Sequence, residues 1–173
     1  MKYVVLAYPN LTKNDYQWIQ SIRKKHDIQY SAVKPHFTIV FPTEKLKESD
    51  FTKQINSRPS KITTIDFTLT KAVVTENIYP KCYQVHLVAS NQISGLIDLY
   101  NNFYNGLLSE EKRSDIIYIP HITIASNESS NLMLDLASTI NKNGININGS
   151  IDNVVFASFD GKKVIDIKKL CFN

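Results

Sequence analysis

Pro35-His36-Phe37-Thr38-Ile39 and Pro120-His121-Ile122-Thr123-Ile124 repeat the frame P-H-x-T-I, 85 positions apart. The chain has four histidines, and two of them stand in this frame. In a β-strand, residues i and i+2 point to the same side, about 7 Å apart along the chain. Each copy therefore predicts a strand that shows an imidazole and a hydroxyl on one face. Phe37 with Ile39, and Ile122 with Ile124, point the other way and are expected to fill a core. The proline ahead of each histidine marks the start of the strand, since it has no N–H to give to a ladder.

Working outward from the first copy, Lys2–Tyr8 reads as a strand that ends at Pro9-Asn10. Thr12 has the side chain of an N-cap, and Asp15 follows in the first turn, where the helix dipole favours a carboxylate. Trp18, Ile19 and Ile22 share a face of the helix that follows, which is expected to end near His26-Asp27. The histidine strand then begins after Pro35 and stops at Pro42, with Phe37, Ile39 and Phe41 alternating against His36, Thr38 and Val40. A short helix near Ser49–Asn56 precedes two long strands. The first alternates Ile65, Phe67 and Leu69 with Asp66, Thr68 and Thr70; the second, after a turn at Asn77–Lys81, carries Tyr83, Val85, Leu87 and Ala89.

Ile93, Leu96, Ile97, Tyr100, Tyr104, Leu107 and Leu108 recur at three and four and predict one amphipathic helix over 93–108. A charged loop, Ser109–Asp115, leads to the second histidine strand, Tyr118–Ala125. A helix over Ser130–Ile140 comes next, then strands near Ile145–Ile151, Val154–Phe159 and Val164–Leu170, the last two joined at Asp160-Gly161. Hairpins outnumber β-α-β units, so the expected class is α+β, antiparallel sheets flanked by helices. The order strand, helix, histidine strand, helix, hairpin occurs roughly twice, with helix 93–108 in the place of helix 13–25. Residues 1–173 are accordingly expected to form a single domain of two pseudo-equivalent lobes.

Composition sets the outer limits. A hydrophobic fraction of 43% and a charged fraction of 21% are ordinary for a soluble globular protein. No apolar run approaches the roughly 20 residues that span a bilayer, and Met1–Tyr8 reads as a strand, not a signal peptide. Cys82 and Cys171 do not make a disulfide framework or a C-x-x-C site and are expected to be free thiols of a cytoplasmic protein. The net charge is +4; residues 1–86 carry 13 Lys and Arg against 7 Asp and Glu, and residues 87–173 carry 7 against 9. A basic first half suits an anionic ligand, but it is too mild for tight duplex binding. Five glycines without a G-x-x-x-x-G-K leave no visible site for ATP-dependent chemistry.

Two such strands facing one another would bring together two imidazoles and two hydroxyls. That set suits in-line displacement at phosphorus. A neutral imidazole takes a proton from the incoming oxygen while an imidazolium gives one to the leaving oxygen. The threonines donate hydrogen bonds to the non-bridging oxygens. The paired H-x-T-apolar motifs resemble the signature of the 2H phosphoesterase (LigT-like) superfamily, which includes the bacterial 2′-5′ RNA ligase-like proteins. The resemblance spans nearly the whole chain. It implies a bilobal, pseudo-symmetric α+β fold with the two strands lining a central cleft, and action on 2′,3′-cyclic phosphates or 2′-5′ linkages in RNA or nucleotides. It places the catalytic pair at His36 and His121 and the phosphate-binding hydroxyls at Thr38 and Thr123.

No metal and no cofactor is expected: zinc wants three or four protein ligands, and neither motif brings Cys, Asp or Glu within two residues of its histidine. Candidate substrate contacts are Lys34 and Tyr118, which flank the motifs, and Tyr8 and Phe41, whose rings near strand ends offer stacking faces for a base. His26 at a helix C-terminus reads as structural. His86 lies in a strand whose alternate residues look buried, so it is expected to face solvent or the cleft and is given no role. The expected partner is an RNA or nucleotide substrate, without a membrane, and the expected state is a monomer. Two other functions use the same residues: a ligase running the reaction backwards, and an RNA- or nucleotide-binding module without catalysis.

Overall fold

A computed structural model describes residues 1–57, 62–77, 81–91 and 93–172. Chain order is β1 (Lys2–Ala7), β2 (Asn10–Leu11), α1 (Lys13–His26), β3 (Phe37–Thr43), α2 (Glu48–Asn56), β4 (Ile65–Asn77), β5 (Cys82–Asn91) and α3 (Ile93–Phe103). After a 3-10 turn at Gly106–Glu111 come β6 (His121–Asn127), α4 (Ser130–Asn143), β7 (Ile147–Ile151), β8 (Asn153–Phe159) and β9 (Val164–Cys171). The turn expected at Asn77–Lys81 falls largely on residues 78–80, outside the described residues.

The strands form two antiparallel sheets, one in the order β3-β1-β8-β9 and the other β2-β7-β4-β5-β6. The α+β class is as the sequence implies. The sheets interleave the chain, however: the first takes β1, β3, β8 and β9 from both ends of the sequence, and the second takes the strands of its middle together with the short β2. Each histidine strand lies at an edge, β3 in the first sheet and β6 in the second. The helices cross over between them. Helix α1, which leads to β3, packs on β6, and α3, which leads to β6, packs on β3. This reciprocal packing is the structural form of the pseudo-symmetry.

Local chemistry explains most boundaries. The Thr12 hydroxyl oxygen accepts from the Asp15 backbone N–H at 3.1 Å and caps α1. Ile19 is buried and Ile22 packs partly against the core, but Trp18 is 37% exposed, because it lies at the margin of the apolar stripe. Arg23, four residues after Ile19, occupies the buried place instead. Pro42 does not stop β3, which runs on to Thr43. The strand is at a sheet edge and its pairing with β1 shifts register between Tyr3 and Val5, two conditions that tolerate a residue without an N–H.

The helix expected over 93–108 ends at Phe103. Asn105 is already extended, at φ −83° and ψ 150°, and Gly106, at φ 74°, opens the 3-10 turn, in which Leu107 is exposed while Leu108 is buried. The second histidine strand begins at His121, not at Tyr118, since Pro120 has no N–H for the ladder. The main core gathers Phe37, Ile39, Leu87, Ile122 and Ile124 with the apolar faces of the helices. A smaller cluster of Val4, Leu6, Val33, Val155 and Ala157 lies on the other face of β1 and β8.

Candidate active site

Both histidines stand at the head of an edge strand: His36 immediately precedes β3, and His121 opens β6. Their rings are held in the same way. His36 Nδ1 lies 2.7 Å from the Lys34 carbonyl oxygen, and His121 Nδ1 lies 2.6 Å from that of Ile119. A carbonyl oxygen only accepts, so Nδ1 carries the hydrogen in both rings. Each Nε2 is then left as the nitrogen that can take or give a proton.

The two edge strands adjoin. The Tyr118 hydroxyl donates to the Thr38 carbonyl oxygen at 2.9 Å, and the Phe41 N–H donates to the Tyr104 hydroxyl oxygen at 2.9 Å. These phenols take up backbone groups that an edge strand would leave to water. Burial holds His36 down to about 4; repulsion from Arg23 and His121 adds to this, and the Lys34 carbonyl and Asp27 oppose it. Burial likewise lowers His121, against the pull of the Ile119 carbonyl. Both imidazoles are thus neutral near pH 7 without a ligand, and a bound phosphate anion would raise whichever ring it faces.

Thr38 pairs with Leu6 and Thr123 pairs with His86, and both threonines are half-buried. Neither hydroxyl is hydrogen-bonded within the described part of the chain, so both can donate to a ligand. Tyr8 and Lys34 lie beside His36. The Tyr8 ring meets the imidazole edge-on at 6.5 Å and 83°, and the Lys34 ammonium stands 5.7 Å from the centre of the Tyr8 ring. The Tyr8 hydroxyl donates to Asp166 at 3.0 Å; burial and that carboxylate keep its proton on, well above the usual phenol range.

Tyr118 and Phe41 are differently employed. The Tyr118 ring is stacked on Tyr100 at 3.9 Å and 8°, and its hydroxyl is engaged by Thr38, so it ties the two strands together. Phe41 is half-buried and packs against the main core. His26 is exposed at the end of α1.

Two features lay beyond the sequence reading. The first is a buried ion pair, Arg23 Nε to Asp27 Oδ2 at 2.7 Å, with the Arg23 side chain also donating to the Val33 carbonyl at 2.8 Å. It braces the segment that delivers Lys34, Pro35 and His36. An arginine at the i+4 position from a buried isoleucine, with an aspartate four residues on, was the available signal. The second is His86, which is buried and stacked on His121, with ring centres 3.8 Å apart and planes 11° apart. Its register opposite Thr123 could not be read without knowing that β5 pairs with β6. Among the described residues, no group of three or more His, Cys, Asp and Glu is placed to hold a metal ion, and no helix is long and apolar enough to cross a membrane.

Residues 12–163, which include both histidine motifs, match the 2'-5' RNA ligase superfamily. The chain belongs to that superfamily. A Staphylococcus aureus (strain Newman) protein named "Putative phosphoesterase" is 28% identical over 166 residues, covering 92% of this chain and 94% of its own. Among solved structures, Escherichia coli LigT without ligand superposes with a TM-score of 0.56 at 18% identity, over 99% of this chain and 97% of LigT. LigT complexed with 3'-AMP gives 0.58 at 15% identity, over 99% and 98%. Kluyveromyces marxianus Usb1 gives 0.55 at 11%, over 95% and 96%. The fold therefore matches that of LigT from end to end, and the chain's two P-H-x-T-I motifs lie on adjoining strands. Membership of this superfamily, together with the phosphoesterase name of that relative, supports a phosphoesterase role.

Proposed function

We propose that this member of the superfamily hydrolyses 2′,3′-cyclic phosphates or 2′-5′ phosphodiester bonds in RNA or nucleotides, without a metal ion, by acid–base catalysis from His36 and His121. The observation that carries this reading is the matched clamp on the two rings. Each Nδ1–H is engaged by the carbonyl two residues earlier, and each Nε2 is left for proton transfer. In the reaction, one neutral Nε2 takes a proton from water as the water oxygen bonds to phosphorus. The opposite P–O bond breaks, and the other ring, protonated in the presence of the anionic substrate, gives its proton to the leaving oxygen. Thr38 and Thr123 donate to the non-bridging oxygens as negative charge grows there. Lys34 and Tyr8, beside His36, contact the rest of the nucleotide. The nucleotide complexes of LigT support this class of substrate.

The test is a turnover assay in EDTA on 2′,3′-cyclic nucleotides, RNA ending in a cyclic phosphate, and 2′-5′-linked oligonucleotides. Chelator-resistant cleavage that vanishes in His36→Ala and in His121→Ala is expected. Wild-type rates in both variants, or no cleavage of any substrate by the folded protein, would overturn the reading.

A further inference from the structure

His86 is a buried titratable side chain that the two-histidine reaction does not use. It projects from β5 opposite Thr123, two residues along the ladder from the pair formed by Val88 and His121 and so on the same face of the sheet. Its face covers that of His121 at van der Waals distance, 3.8 Å between ring centres. The Thr75 hydroxyl lies 3.4 Å from Nδ1 and the Gln84 amide oxygen 3.3 Å from Nε2. Those partners fit a neutral ring that accepts at Nδ1 and donates at Nε2. Of the charged side chains on β4, Lys71 lies in the same cross-strand row as Val88 and His121.

We infer that His86 is a positioning residue for His121: its neutral ring fixes the plane in which Nε2 of His121 meets the substrate phosphate. This rests on the two-histidine reading above. An imidazole has two rotations to fix. The hydrogen bond from Nδ1 to the Ile119 carbonyl limits the rotation within the ring plane, and the stacked ring limits the tilt of that plane. Together they set the direction of Nε2, and orientation at a reacting nitrogen is worth large factors in rate. Among the described residues no aromatic ring is stacked on His36, which Tyr8 meets edge-on at 6.5 Å. Burial and the neighbouring His121 hold His86 down to about 3, so it stays neutral while His121 changes state.

The test compares His86→Phe, His86→Leu and His86→Ala with the wild type, using 2′,3′-cyclic nucleotide monophosphates as substrate. Phe keeps a flat face and should keep kcat within about threefold, while Leu and Ala should lose about tenfold or more in kcat with KM nearly unchanged. An NMR titration of the His121 ring in the ligand-free protein reads the same contact without turnover. In His86→Ala it should move up toward the ordinary value of about 6.5, and in His86→Phe it should stay near the wild type. Unchanged kcat and unchanged His121 titration in Ala and Leu would overturn the inference, as would a Phe variant that falls as far as Ala. If the wild type cleaves none of the substrates while the titration follows His86 as described, the positioning stands and the assigned reaction is what fails.

Discussion

The Tyr118 hydroxyl donates to the carbonyl oxygen of Thr38, 2.9 Å away, and so joins the approach to one histidine motif to the backbone of the other. The bond spans 80 residues of sequence and helps to set the separation of the two imidazoles. Tyr118→Phe removes the hydroxyl and keeps the stack on Tyr100. It should cost about 1 kcal/mol of stability, measured by urea denaturation. The rate should fall a further few-fold, on the order of 3- to 10-fold in kcat, because the two rings are less well held. A variant equal to wild type in both would show that the bond is incidental.

Arg23 and Asp27 are buried together, with side chains 2% and 3% exposed. Arg23→Met leaves the Asp27 carboxylate without its partner and releases the Val33 carbonyl, and should cost about 3–5 kcal/mol. The double variant Arg23→Met with Asp27→Leu should recover part of that loss. Turnover in the double variant should remain low, since the segment ahead of His36 is no longer braced.

Stability should fall as the solution is acidified through the histidine range. His36 and His86 are lowered to about 4 and about 3 from 6.5, chiefly by burial. Between pH 6.5 and those values the unfolded chain binds protons that the folded chain refuses, so acid favours unfolding there. The contribution is complete above pH 6.5 and is lost progressively as pH falls toward 4. Urea midpoints at pH 7, 6 and 5 should decline in order, and His86→Phe should flatten the decline. A flat wild-type profile would mean that the fold does not hold these rings below their ordinary value.

Thr38→Val and Thr123→Val test the hydroxyls alone. Valine keeps the shape and is a good strand former, so thermal stability should change little. Each loss of a donor to the phosphate should lower kcat by about 10- to 100-fold, and the double variant should be worse than either. Full activity in both single variants would remove the threonines from the mechanism.

The sequence by itself determined which residues form the two motifs, that each histidine shares a strand face with a threonine, and that antiparallel sheets carry them. Those features are local: they depend on period-two alternation, on prolines at strand heads and on the Thr12 cap, which need only near neighbours. Even there, the chain leaves the helical path at Asn105 and Gly106, where the apolar spacing alone would continue the helix, because backbone conformation overrode periodicity. Only the tertiary structure decided that α1 packs on β6 and α3 on β3, that the Tyr118 hydroxyl reaches the Thr38 carbonyl, and that His86 lies against His121. Those relationships depend on register and on contacts between distant segments. Shifting a strand by one residue turns every side chain to the other face, and the sequence of β5 alone does not state which residue of β6 stands opposite.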